Sequence, residues 1–309
     1  MKVLVMGGKG WLGHHIARIF AEQKFDVTIL TRGKKSEFND EIAGVKAIVA
    51  DKNDAAAMQE VFQTQYSVVI DSVPTVTSLN NVHQFARNLK HYIHCSSTGG
   101  YAPLPFIPCD ETAPYGGFNP TTGWSQKRIV DNLSLEYFRN EGFPATVIRP
   151  CYITGPGKLP IDNLGDRRES FIKEIIEEKP LDLPNDGQAL LQPIHVVELA
   201  RSFYLALEHP CSIGQIYNIT LDHALPLNRY LEVTAAVFDK KPVINYMSVD
   251  AILAKYGESI SENGLRFLAT HMCFTNAKAR RDLEFKPAYT PEEAIEETAL
   301  WTAKTQKLV

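Results

Sequence analysis

Residues with chemistry to offer cluster first at the start of the chain. There Gly7-Gly8-Lys9-Gly10-Trp11-Leu12-Gly13 spaces Gly7, Gly10 and Gly13 three apart. Such a turn lets the backbone approach a diphosphate with no Cβ in the way. It is flanked by Val3–Met6, an apolar run that reads as a buried strand, and by Ile16, Ile19 and Phe20 at helical spacing. In that strand–turn–helix setting the glycines predict a dinucleotide site. The helix start, with Trp11 and Leu12, offers free N–H groups and partial positive charge to the phosphates.

The second strand, Phe25–Leu30, ends in Thr31-Arg32-Gly33-Lys34-Lys35. A carboxylate at that position would take ribose hydroxyls; here there are cations and no acid. Thr31, Arg32 and the lysines suit a 2′-phosphate, which favours NADP, with NAD as the second choice. The alternative, in which Arg32 only covers an adenine and both lysines are solvated, stays open. Asp51 and Lys52 follow the third strand and are expected at the adenine edge. Asp71 and Ser72 end the fourth strand, where they would face the nicotinamide half.

The elements that must position these groups alternate regularly. Strands are expected at Val45–Ala50, Ser67–Asp71, His91–Cys95 and Ala145–Arg149, with helices at Asp54–Phe62, Asn80–Leu89 and Gln126–Asn140. Repeated alternation with buried strands predicts an α/β fold, a doubly wound parallel sheet of Rossmann type. After Pro150 the texture changes, with Gly155-Pro156-Gly157 and a Pro/Gly-containing stretch over Pro180–Gly187. Helices are expected at Ser170–Lys179, Val196–Glu208, Leu227–Phe238 and Pro291–Thr302, and a strand at Val243–Ser248. The expected division is a dinucleotide-binding domain over 1–155 and a smaller mixed substrate lobe over 156–309, with segments near 190–220 returning to the first.

Composition narrows the class. The chain has 309 residues, 44% hydrophobic and 22% charged, with a formal net charge of -4. That balance lacks the basic footprint of a nucleic-acid binder, so nucleic acid is an unlikely partner. Five scattered cysteines with no Cys-x-x-Cys pair argue against a metal site or a disulfide framework and suit a reducing cytoplasm. No apolar run reaches the ~18 residues of a membrane span, and the opening run is too short for a secretory signal.

Taken together, the chain resembles the extended short-chain dehydrogenase/reductase superfamily of NAD(P)-dependent epimerases and dehydratases. The resemblance rests on the Gly-x-x-Gly-x-x-Gly loop, Asp51, Cys95-Ser96-Ser97 before Tyr101, Arg149-Pro150 with Tyr152 to Pro156, Ile194-His195-Val196, and the tail Thr275 to Pro287. It implies a small hydroxyl- or carbonyl-bearing substrate, with sugar derivatives among the candidates, bound in a cleft between the two regions, and a homodimer formed through Asn80–Leu89 and Gln126–Asn140. It also implies a Ser, a Tyr and a Lys four residues after the Tyr. Ser97 matches the Ser and Lys127 the Lys, which would also hold the nicotinamide ribose. The Tyr position is Gly123.

A glycine cannot transfer a proton, and three readings stay open. Tyr101, Tyr115 or a water held by Ser97 and Lys127 stands in; the reaction needs less acid/base help; or the chain keeps the cofactor and has lost dehydrogenase chemistry. A second departure is Leu191, where nucleotide-sugar enzymes of the superfamily often carry an Arg that grips phosphates. Arg167, Arg168 and Arg266 remain as substitutes. Both departures, with Thr31-Arg32-Gly33-Lys34, also resemble the chloroplast stem-loop-binding branch, which implies a non-catalytic dinucleotide- or RNA-binding module as the competing reading. His14, His15 and His195 read as helix-start residues, and Cys151 as a small buried hydrophobe.

Overall fold

The computed structural model describes residues 1–34, 38, 41–117, 119 and 122–308. The chain opens with β1 (Lys2–Met6), α1 (Trp11–Glu22), β2 (Asp26–Thr31), β3 (Lys46–Val49), α2 (Ala55–Val61), β4 (Val68–Asp71), α3 (Val76–Phe85) and β5 (His91–Cys95). There follow α4 (Gly123–Glu141), β6 (Ala145–Pro150), β7 (Tyr152–Thr154), α5 (Phe171–Ile176), β8 (Leu181–Pro184), β9 (Leu190–Leu191), β10 (Pro193–His195) and α6 (Val196–Glu208). The chain continues through β11 (Ile216–Ile219), β12 (Leu225–Pro226), α7 (Leu227–Ala236), β13 (Ile244–Met247), α8 (Val249–Tyr256), α9 (Glu262–Leu268), α10 (Ala277–Leu283) and α11 (Pro291–Thr305).

Seven strands form one parallel sheet in the order β11-β6-β5-β4-β1-β2-β3. From β1 the chain moves outward to β2 and β3, then returns across β1 to β4. The reversal opens a crevice at the carboxyl ends of β1 and β4, where a doubly wound sheet binds its ligand. Met6 pairs with Leu30 on one side and with Asp71 on the other, so the glycine loop and Ser72 meet at this crevice.

Inside the exposed edge strand β3, the sheet is covered on both faces because its strands are apolar on both. Val3 and Val5 join a core with Ile16 and Phe20 of α1 and Leu199 and Phe203 of α6. Leu4 and Met6 point the opposite way, to Met58, Leu79, Val82 and Val130. Each such fully buried side chain contributes about 1.5–3 kcal/mol relative to exposure. A second core lies beyond the sheet, built from Phe171, Ile175, Leu183, Leu231, Ile295 and Ala299. It carries the two-stranded pair β8 and β13 and the helices α5, α7 and α11.

Most expected elements stand where their patterns put them, with shifted ends. The third helix begins at Val76 rather than Asn80, because Thr75 and Ser78 form a reciprocal capping box ahead of the apolar stripe. The expected helix over Ser170–Lys179 closes at Ile176.

Candidate functional site

The glycine loop is built as a cradle. Gly7 adopts φ +80°, its N–H donates to Leu30 O (3.0 Å), and its own carbonyl accepts from Gly10 N–H (2.8 Å). A Cβ on Gly13 would lie 2.2 Å from Gly7 O, so the helix meets the turn backbone to backbone. The N-cap of α1 is Gly10, with no side-chain cap. The first-turn amides therefore have no side-chain acceptor at the cap, and the partial positive charge of this 12-residue helix faces the crevice. These residues fit a diphosphate.

A cavity of about 400 Å³ continues from the cradle and is lined by Gly7, Gly10, Thr31, Arg32, Asp51 and Lys52, among others. Lys34 lines it too; Lys35 lies outside the described residues. Arg32 is exposed on its wall. Asp51 accepts from Asn53 N–H (2.9 Å). Lys52 donates to Asp71 (2.6 Å) and to Val73 O. Asp71 is fully buried and also accepts from Ser78 Oγ (2.7 Å). Ser72 Oγ donates to Met6 O (2.9 Å). Asp71 and Ser72 thus spend polar groups on protein partners and shape the crevice floor, while Leu12 is packed into the core behind it.

A second cavity, of about 440 Å³, opens beside Trp11 and is lined by Ser97, Trp124, Tyr152, Lys158 and Arg167, among others. Ser97 Oγ accepts from Gly99 N–H (3.1 Å). Lys127, on the first turns of α4, donates to Ser96 O (3.1 Å), which brings its ammonium to the residue next to Ser97. Lys127 thus lies one residue from Ser97, although it is not among the residues that line the cavity. Gly123 is the first residue of α4, and a Cβ built on it meets nothing within 4 Å among the described residues. Trp124 instead turns toward Gly99 and packs on Phe267, with ring centroids 4.5 Å apart.

Tyr101 and Tyr115 belong to a different, buried network. Tyr101 OH donates to Asn218 Oδ1 (3.2 Å). Tyr115 OH donates to Asp131 (3.2 Å) and accepts from Arg149. Asp131 also binds Arg149 (2.9 Å) and Ser96 Oγ (2.7 Å). Burial pushes the Tyr101 phenol up to about 12. Burial, followed by the Asp131 charge, pushes Tyr115 well above the usual phenol range. Neither phenol lines the cavity that holds Ser97. Cys151 does, but burial raises its thiol to about 12 and keeps it neutral. His195 caps α6 and stacks on Tyr289 at 4.0 Å, away from either cavity.

Of the three candidate anion grips, Arg168 is held by Asp162 (2.8 Å) and Glu174 (3.2 Å), and Arg266 by Glu262 (2.8 Å) and Asp250 (3.3 Å). Only Arg167 lines the cavity. Sequence reasoning missed Lys158, Tyr152 and Phe267 as cavity residues. Tyr152 lay inside a quoted motif, whereas a lysine in a Pro/Gly loop carried no signal of its own.

Comparison with known proteins agrees with the fold. A family model described as the NAD dependent epimerase/dehydratase family matches residues 75–220, and one for the NmrA-like family matches residues 1–86. The chloroplast stem-loop binding protein of 41 kDa b from Arabidopsis thaliana is 24% identical over 310 residues, covering 95% of this chain and 77% of that protein. A UDP-glucose 4-epimerase from Corynebacterium glutamicum is 26% identical over 273 residues, covering 77% of this chain and 80% of that protein. Among solved structures, an epimerase from Methanothermobacter thermautotrophicus superposes with a TM-score of 0.79 at 18% identity, over 99% of this chain and 93% of that one. A UDP-glucuronic acid 4-epimerase from Bacillus cereus, in complex with UDP-glucuronic acid and NAD, does so with 0.76 at 17% identity, over 99% and 100%.

Proposed function

We propose, because the chain belongs to the extended short-chain dehydrogenase/reductase superfamily, that it is an NADP-binding epimerase, dehydratase or reductase acting on a small hydroxyl- or carbonyl-bearing substrate. The observation that carries this reading is the uncapped start of α1 over the glycine cradle, continuous with a cavity that ends at Arg32. The adenine half lies along Thr31, Arg32, Asp51 and Lys52, and the nicotinamide half runs past Trp11 toward Ser97 and Lys127. A bound nicotinamide supplies hydride exchange. Lys127 holds the ribose, and Ser97, whose oxygen is fixed by Gly99 N–H, directs its hydroxyl proton to the substrate oxygen. With Gly123 in the Tyr position and both nearby phenols engaged elsewhere, a water between Ser97 and Lys127 is the proton carrier that best fits this site.

The cofactor preference is tested by Arg32→Ala. NADPH affinity should fall at least tenfold, with NADH affinity little changed; equal loss for both would discard NADP. The competing reading is a non-catalytic dinucleotide- or RNA-binding module, supported by the Arabidopsis relative's name and by Gly123. The net charge of -4 counts against the RNA half of it. Hydride transfer from labelled reduced cofactor to a panel of small carbonyls separates the two, since a module gives no turnover. The free cysteines among the described residues support a reducing cytoplasm. Exposed Ile129 on α4 supports a homodimer through α3 and α4.

A further inference from the structure

We infer that the cavity beside Ser97 is an anion-recognition site in which Lys158 and Arg167 take the phosphoryl group of a phosphomonoester substrate. This deepens the reading above and rests on it in treating that cavity as the substrate's. The argument begins with charge. Lys158 and Arg167 line the same cavity, and no Asp or Glu among the described residues lines it. Lys158 has no carboxylate within ion-pair distance among the described residues; its ammonium sits over the Trp11 ring, 5.8 Å from the centroid.

Arg167 lies over the same ring at 6.0 Å. Its guanidinium donates one N–H to Ile153 O (2.9 Å) and one to Leu159 O, which fixes its position, and neither carbonyl balances its charge. The nearby acid, Asp162, is committed to Arg168. Two cations therefore meet at one aromatic ring with nothing negative between them. Burial, with Arg167 and Lys127 adding repulsion, lowers the Lys158 ammonium; burial also lowers Arg167. Such a pair is costly to assemble unless an anion completes it.

The size of the charge selects the ligand. A phosphomonoester carries about −1.5 to −2 at neutral pH, which matches two cations; a carboxylate balances only one. Arg167 has both terminal nitrogens tied to carbonyls, so it acts as a fixed charge and Lys158 as the mobile partner. A nucleotide-sugar diphosphate carries a similar total charge but spreads it over two phosphoryl groups, and Leu191 in β9 is buried against the second core and offers the second of them no grip. The remaining walls, Trp124, Tyr152 and Phe267, are flat and apolar enough to cover the face of a sugar-sized body.

Trp11 makes the test direct, because an anion that draws Lys158 off the ring changes its emission. Inorganic phosphate is titrated into the whole protein at constant ionic strength, with chloride as the control, first without dinucleotide and then with NADP at saturation. Saturable quenching or enhancement at about millimolar phosphate is expected in both conditions. Lys158→Met should weaken it at least fivefold while leaving NADP affinity within twofold. Trp11→Phe should reduce the optical signal to whatever Trp124 in the same cavity carries, and should retain phosphate binding by calorimetry.

In competition, glucose 6-phosphate should displace phosphate at least tenfold better than glucose, glucuronate or UDP-glucose. No phosphate response, or one abolished by NADP together with a loss of NADP affinity in Lys158→Met, would overturn the site; the latter would give both cations to the cofactor. Preferential displacement by UDP-glucose would overturn the phosphomonoester in favour of a nucleotide sugar. A phosphate response in a protein that binds no dinucleotide would keep the anion site and remove the reading above. Dinucleotide binding with no phosphate response would do the reverse.

Discussion

At the scale of single residues, the departure at position 123 is open to repair. A Cβ there meets nothing within 4 Å among the described residues, and the residue starts a helix rather than interrupting one, so a larger side chain costs little. Lys127 follows it by four positions and already stands next to Ser97 through Ser96 O. Gly123→Tyr should therefore raise single-turnover hydride transfer to small carbonyls by about 10²-fold, the ordinary contribution of a positioned acid. The melting temperature should stay nearly constant. No gain in rate, with the protein folded and cofactor bound, would mean that proton supply is not what limits this site. The sequence reads as glycine where the resembling superfamily carries the Tyr, but does not show the fate of the proposed substitutes. Tyr101 and Tyr115 are near Ser97 in the chain, and only the fold turns their hydroxyls inward, Tyr101 to Asn218 and Tyr115 to the buried Arg149–Asp131 pair.

Elements were legible wherever periodicity had one cause. Strands buried on both faces read as short apolar runs, and the sheet could be anticipated from their alternation with helices. The later helices α8, α9 and α10 were not anticipated. They are short, with Ser248 and Ser261 capping the first two, and side-chain contacts rather than a long apolar stripe hold them. The meeting of α1 with the turn before it was legible in full, since only backbone fits there. Gly13→Ala puts a methyl 2.2 Å from Gly7 O, and neither atom belongs to a flexible side chain. The expected cost is roughly 1–3 kcal/mol of stability, read as a lower melting temperature, with weakened dinucleotide binding by calorimetry. A variant with unchanged melting and affinity would show that the cradle yields more easily than its geometry suggests.

Over the whole molecule, the buried histidines set how the fold responds to acid. His91 on β5 lies 2.7 Å from Thr146 Oγ1 of β6, and burial lowers its pKa from 6.5 to about 4. His94, three residues on, is lowered by burial as well. Between those two values the unfolded chain binds the proton and the folded one does not, so stability falls as pH falls through that window and is fully present above it. For His91 the loss is at most about 3 kcal/mol. The melting temperature should decline from pH 7 to pH 4, and His91→Gln should make the decline shallower; an identical slope would assign the acid sensitivity to other groups.

The position of β11 carries a further consequence. This strand comes from the latter third of the chain, yet it closes the central sheet beside β6, with Ile216 paired to Val147. The two regions are consequently interlaced and cannot be exchanged like beads on a string. A gene fragment ending at residue 155 would leave β6 as a bare edge inviting self-association. Recombination with a relative would need at least two crossover points to graft a foreign lobe while keeping its host's last strand.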